Sequence, residues 1–119
     1  MEVLSGDDCF RKLDEPYYIL FYFTASWCGP CQRVYPQLVK LMETYDKNII
    51  QCFKIDIDDD ENQELCEKLK IKSVPTFILL KDRNYIDQWL IILRMVLTWF
   101  LIRVYNFHDT FFLILNYVF

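Results

Sequence analysis

Glycine is nearly absent from this chain, with two in 119 residues beside four prolines and a single histidine. So few turn formers exclude a sandwich of many short strands and tight hairpins. A surplus of basic charge is missing too: 13 Lys and Arg stand against 17 Asp and Glu, a formal net charge of −4. That balance excludes a basic nucleic-acid binder held by phosphate contacts. With 54% hydrophobic and 25% charged residues, the chain is also no disordered segment. The first residues, Met1 to Asp8, are acidic and lack the apolar stretch of a secretory signal or the Arg-rich bias of a transit peptide. A cytoplasmic, reducing location is therefore expected.

What remains fits one domain with room for a core. The averages conceal a break. Residues 1–88 carry 11 Lys and Arg against 16 Asp and Glu, a net charge of −5, whereas 89–119 hold only Arg94, Arg103 and Asp109 as charged groups. The first segment is expected to be the folded core, 1–88, and the second an apolar C-terminal segment, 89–119.

Within the core, Ser5 to Leu13 suits a short helix with Ser5 or Asp7 as N-cap. Tyr17 to Thr24 is a continuous aromatic and β-branched run, the pattern of a strand buried on both faces. After Trp27-Cys28-Gly29-Pro30-Cys31, the residues Val34, Leu38, Leu41, Met42 and Tyr45 recur at helical spacing, and Pro36 should kink that helix. Ile49 to Ile57 alternates as a strand. Asp58 to Glu61 places negative charge at the start of a helix containing Leu65, Cys66 and Leu69, and lacks the glycine and ligand spacing of a calcium loop. Val74 to Leu80 opens another strand, and Lys81 to Asn84 is turn-like. Strands separated by helices imply an α/β sandwich with a largely parallel centre.

Five cysteines, at 9, 28, 31, 52 and 66, make an odd number and fit poorly with a secreted disulfide framework. Cys28 and Cys31 sit at C-x-x-C spacing. Zinc would need two further ligands, but no second pair exists and His108 lies far off in the apolar segment. Redox chemistry explains the surroundings better. At the first turn of a helix a sulfur meets unpaired N–H groups and the positive dipole end, which favour thiolate and lower the pKa to about 7 in pairs of this type. Cys28 is expected there, exposed, with Cys31 one turn further in and placed to attack a mixed disulfide. Gly29 allows a partner backbone to come close, and Pro30 suits a helix start because its missing N–H costs nothing there. Cys9, Cys52 and Cys66 are expected to be buried structural thiols.

The sequence resembles the thioredoxin family. Trp27-Cys28-Gly29-Pro30-Cys31 is identical to the family's active-site motif, preceded by Phe23-Thr24-Ala25-Ser26. Pro36 matches the proline inside the following helix, Lys54 and Asp56 match a Lys-x-Asp strand, and Val74-Pro75-Thr76 matches a strand start whose proline is cis and faces the cysteines. The resemblance runs from about Ser5 to Asp82. It implies a three-layer α/β/α sandwich around a central mixed sheet, with Cys28 as nucleophile, Cys31 as resolving thiol, Trp27 beside the site, and Val74 and Pro75 shaping a substrate groove. It implies a protein-disulfide reductase with no bound cofactor beyond the Cys28–Cys31 disulfide itself, at a potential near −270 mV for thioredoxin. Electrons would come from NADPH through a flavoenzyme thioredoxin reductase. The partners implied are that reductase and disulfide-containing client proteins. A membrane-attached oxidoreductase and a non-catalytic binding module are the alternative functions.

Two departures stand out. Six residues before the first cysteine the family usually carries a buried Asp that serves Cys31 as acid and base through water; here it is Tyr22. A phenol with a pKa near 10 is a poor base at neutral pH, so the second thiol is expected to deprotonate more slowly, helped by Lys54 and solvent. Beyond residue 82 there is no glycine or alanine. Tyr85 to Leu90 suits an edge strand and Leu93 to Tyr105 a last helix. Residues 89–119 are compatible with a divergent helix and strand, with a membrane anchor, or with translation of an aberrant reading frame. The stretch from Trp89 to Phe107 would span about 28 Å as a helix. Arg94 within it would cost roughly 2.5–3.5 kcal/mol near the bilayer centre.

Overall fold

The computed structural model describes residues 1–89. The expectations for Leu90 onward, including the last helix and the three endings, lie outside the described residues. Along the chain come β1 (Glu2–Val3), α1 (Asp7–Lys12), β2 (Tyr18–Thr24), α2 (Gly29–Glu43), β3 (Ile50–Asp56), a 3-10 turn (Asp60–Asn62), α3 (Gln63–Lys68), β4 (Thr76–Lys81) and β5 (Asn84–Trp89). The five strands form one sheet in the order β1-β3-β2-β4-β5. Strands β1 and β2 both run parallel to β3, while β4 is antiparallel to β2 and to β5. The sheet is therefore mixed, as the resemblance implies.

Strand β2 sits at the centre for the reason its composition suggests. Ile19, Leu20, Phe21, Tyr22 and Phe23 are all fully buried. Because successive side chains point to opposite faces, Leu20 and Tyr22 enter a core with Cys28, Cys31, Leu38, Phe77 and Leu79 from one side of the sheet. Ile19, Phe21 and Phe23 enter another with Cys9, Phe53, Ile55, Leu65, Ile78 and Leu80. Helix α2 covers the first face; α1 and α3 cover the second. Pro36 lies inside α2 without ending it.

Two local expectations need correction. The chain opens with β1, whose two residues are too few to show a period. Its pairing is set by β3, with Glu2 opposite Phe53 and Val3 opposite Lys54. The N-cap of α1 is Gly6, at φ 58°, and not Ser5 or Asp7. The Ser5 hydroxyl instead turns away from the helix amides and donates to the carboxylates of Asp59 and Glu61, where the bonds are charge-assisted. Gly6 is required there: besides its positive φ, a Cβ would stand 3.3 Å from Glu61.

The acidic run behaves as expected of a helix start. Asp59 accepts the Glu61 amide, and Asn62, fully buried, ties three segments together. Its Oδ1 accepts the Gly6 amide at 2.9 Å and its Nδ2 donates to the Asp56 carbonyl at 2.9 Å. Among the described residues no helix is long and apolar enough to cross a membrane, and no cluster of three or more His, Cys, Asp or Glu could hold a metal ion.

Candidate functional site

Strand β2 ends at Thr24, and the chain turns through Ala25-Ser26-Trp27 to reach α2. Cys28 is the N-cap residue of α2, in extended conformation, with Pro30 in the first turn. The Cys31 amide donates to Cys28 Sγ at 3.2 Å, so the sulfur takes the place that a capping oxygen usually fills. Cys28 and Cys31 are joined by a disulfide, their Cα atoms 5.2 Å apart, inside the range that such a bond tolerates. Cys28 was expected to be exposed. It retains only 4% of its surface and Cys31 none, because Ala25 and the rest of the α2 core pack around the bond. The remaining exposure nevertheless favours Cys28, which lies between exposed Trp27 and exposed Gly29.

Trp27 is 67% exposed, so it is no core aromatic. Its Nε1–H donates to Asp58 Oδ2 at 2.8 Å, tying the rim of the site to the loop after β3. Sequence reasoning assigned Asp58 to a helix start and missed this contact. On another side, the Val74–Pro75 peptide is cis and leads straight into β4. Val74 packs partly buried against the core that holds both cysteines, and Pro75 is buried.

Beneath the disulfide, the Tyr22 hydroxyl donates to the Cys31 carbonyl at 2.8 Å. Its ring stacks on Phe77 at 5.1 Å and on Tyr35 at 6.3 Å between centroids, with interplanar angles of 15° and 17°. Burial raises the Tyr22 phenol above its ordinary range, against a smaller opposing effect of a hydrogen bond with Thr24. The group at this position is thus a neutral donor. Lys54 lies across from Tyr22 in the β2/β3 register, its ammonium 4.4 Å above the Tyr35 ring. Tyr35 and Phe77 were absent from the expected site; the helical spacing of Tyr35 from Cys31 was visible, the stack was not.

The three other cysteines are free. Cys9 and Cys52 are buried and Cys66 is half-buried. Burial, with Asp8 adding to it, pushes the Cys9 thiol up to about 11; burial also raises Cys52 strongly and Cys66 to a lesser degree.

A cystine at the head of a helix, packed on a mixed sheet with a cis-proline at the start of one strand, defines an α/β protein with a dithiol/disulfide couple. The family model of thioredoxin matches residues 4–90. Thioredoxin Y2, chloroplastic, of Arabidopsis thaliana is 41% identical over 85 residues, 71% of this chain and 48% of that protein. The thioredoxin of Coprinus comatus is 37% identical over 89 residues, 74% of this chain and 82% of that one. The chain thus spans about half the length of the first relative and most of the second. Among solved structures, thioredoxin f2 of Chlamydomonas reinhardtii superposes with a TM-score of 0.75 at 26% identity, covering 87% of this chain and 94% of that one. The chain belongs to the thioredoxin family, whose members are protein-disulfide oxidoreductases.

Proposed function

We propose that the chain reduces protein disulfides by dithiol exchange through Cys28 and Cys31. The observation that supports this most directly is the Cys28–Cys31 disulfide at the start of α2, formed while the three other cysteines stay free. In the reduced protein the Cys28 thiolate attacks one sulfur of a client disulfide, forming a mixed disulfide and expelling the other client sulfur as a thiolate. Cys31, deprotonated, then attacks Cys28 Sγ. The intramolecular disulfide forms, the second client sulfur leaves, and two electrons have passed to the client. Exposed Trp27, Gly29 and Pro30 receive the client chain, and half-buried Val74 with buried Pro75 shapes the groove. Lys54, held over Tyr35 under the site, together with solvent supports proton transfer from Cys31.

A flavoenzyme thioredoxin reductase drawing on NADPH returns the electrons, and the compartment is the cytoplasm, where free Cys9, Cys52 and Cys66 suit a reducing medium. Residues 1–88 form the working core and 89–119 a separate apolar segment. The test is reductase-coupled reduction of a disulfide substrate by the purified full chain. Cys28→Ser is expected to abolish turnover, and Cys31→Ser to accumulate the mixed disulfide. Equal turnover by the wild type and Cys28→Ser would refute the assignment.

A further inference from the structure

Two bonds made by one residue connect the sheet to the reactive sulfur. The Cys31 amide donates to Cys28 Sγ, and the Cys31 carbonyl accepts from Tyr22. The carbonyl can take this bond without leaving the helix ladder, because it has a second lone pair. The tether also lies where the ladder is weakest. Pro36 has no N–H, so the carbonyl of Gln32, next to Cys31, lacks its partner four residues on. Tyr22 itself cannot shift easily: it is fully buried, lies in the central strand, and is stacked between Phe77 and Tyr35.

We propose that Tyr22 is a positioning residue for the exchange reaction: its hydroxyl pins the Cys31 backbone to β2 and so keeps the Cys31 amide aimed at Cys28 Sγ. It touches neither sulfur. An N–H donor bonds a thiolate more strongly than a disulfide sulfur, because the bond becomes charge-assisted. The pin therefore favours the reduced, reactive form of Cys28. The inference rests on the exchange reaction proposed above, but its readouts are separable from turnover.

Tyr22→Phe keeps the ring and removes the hydroxyl. In the reduced full chain, the pH midpoint of Cys28 alkylation is expected to rise by about 0.4–1 unit, the worth of one hydrogen bond. At pH 9, where Cys28 is almost all thiolate, the equilibrium with the glutathione couple should move toward the disulfide by about two- to tenfold. A folded Tyr22→Phe chain with the wild-type midpoint and wild-type equilibrium would overturn the proposal. Site-specific 3-fluorotyrosine at position 22, a stronger O–H donor of nearly the same size, should lower that midpoint below the wild type's. An unchanged or higher midpoint counts against the pin even where Tyr22→Phe does not fold. Wild-type chain that alkylates selectively at Cys28 but reduces no substrate would remove the exchange reaction while leaving the pin to these two variants.

Discussion

Five thiols in one small domain offer a quantitative test of how helix starts and burial divide reactivity. The perturbation is reduction of the Cys28–Cys31 disulfide, followed by a short pulse of iodoacetamide on the folded protein and peptide mass spectrometry of each cysteine. Burial, with Asp8 beside it, holds the Cys9 thiol up to about 11, so only ~10⁻⁴ of it is thiolate at pH 7. A helix-start cysteine near pKa 7 would be about half thiolate. Ionisation alone thus favours Cys28 by roughly 5,000-fold. Intrinsic nucleophilicity works the other way: with a Brønsted slope of about 0.4–0.5, four pKa units return roughly 40- to 100-fold to Cys9. The net preference is on the order of 100-fold before access is counted. Access adds to it, since Cys9 has no exposed surface and Cys28 borders Trp27 and Gly29.

The pH dependence separates the two causes. Between pH 7 and pH 9 the Cys28 rate should rise about twofold, and the Cys9 rate about 100-fold, if ionisation governs both. Whatever preference survives at pH 9 measures burial. Cys52, buried but with 8% of its surface exposed, has its thiol raised further by burial and should be labelled least where ionisation governs, and half-buried Cys66 should fall between. Cys9 labelling within tenfold of Cys28 at pH 7 would refute the argument. So would a Cys28 rate that climbs steeply from pH 7 to pH 9, because an ordinary thiol behaves that way.

Asn62→Ala should cost about 1–3 kcal/mol in denaturant unfolding, since it strands the part-buried Gly6 amide and Asp56 carbonyl together. Phe77→Ala, opening a cavity against Tyr22, should cost about 3–5 kcal/mol by the same measurement. Asp58→Ala should leave stability within about 1 kcal/mol, because the Trp27 bond is exposed, yet change the tryptophan emission as the indole N–H is released to water. The hydroxyl of Ser5, then the Glu61 amide, lowers the Asp59 carboxyl below its ordinary value. Its contribution is therefore present above the unfolded pKa and lost as pH falls through the lowered one. Ser5→Ala should flatten that acid limb in unfolding measured from pH 6 down to pH 2, and an unchanged limb would count against the bond.

Much of the fold was legible because burial writes itself into composition. The run from Tyr17 to Thr24 could only be a strand covered on both faces, and β2 is that strand in the centre of the sheet. The edge strand expected at Tyr85 to Leu90 lies at Asn84–Trp89 as far as the described residues extend. The hairpin before it was legible as a turn but not in its conformation. Asp82 and Arg83 both adopt positive φ, at 52° and 64°, where glycine is the easier residue. Arg83 is instead held by Asp14, its Nε 2.7 Å and its Nη2 2.6 Å from Oδ1. A partner 69 residues away leaves no trace in a local pattern.

The candidate site divides along the same line. Cys28, Gly29, Pro30 and Cys31 are contiguous, so their spacing carried the helix start and the pair. What lies beneath them depends on register. Tyr22 faces Phe77 only because β2 and β4 pair antiparallel with those two residues opposite, and it faces Lys54 only through the parallel β2/β3 register. Read along the chain, Tyr22 was merely the wrong residue where a carboxylate was expected. In the folded chain it makes a different contact: an ionised carboxylate would have offered only acceptors, whereas the raised phenol offers a donor, and the group it meets is the Cys31 carbonyl. The substitution therefore changes what the sheet can do for the second cysteine, from exchanging its proton to holding its backbone. Tyr22→Asp should show the trade directly, gaining a pH-dependent resolving step while losing part of the Cys28 reactivity that the hydroxyl secures.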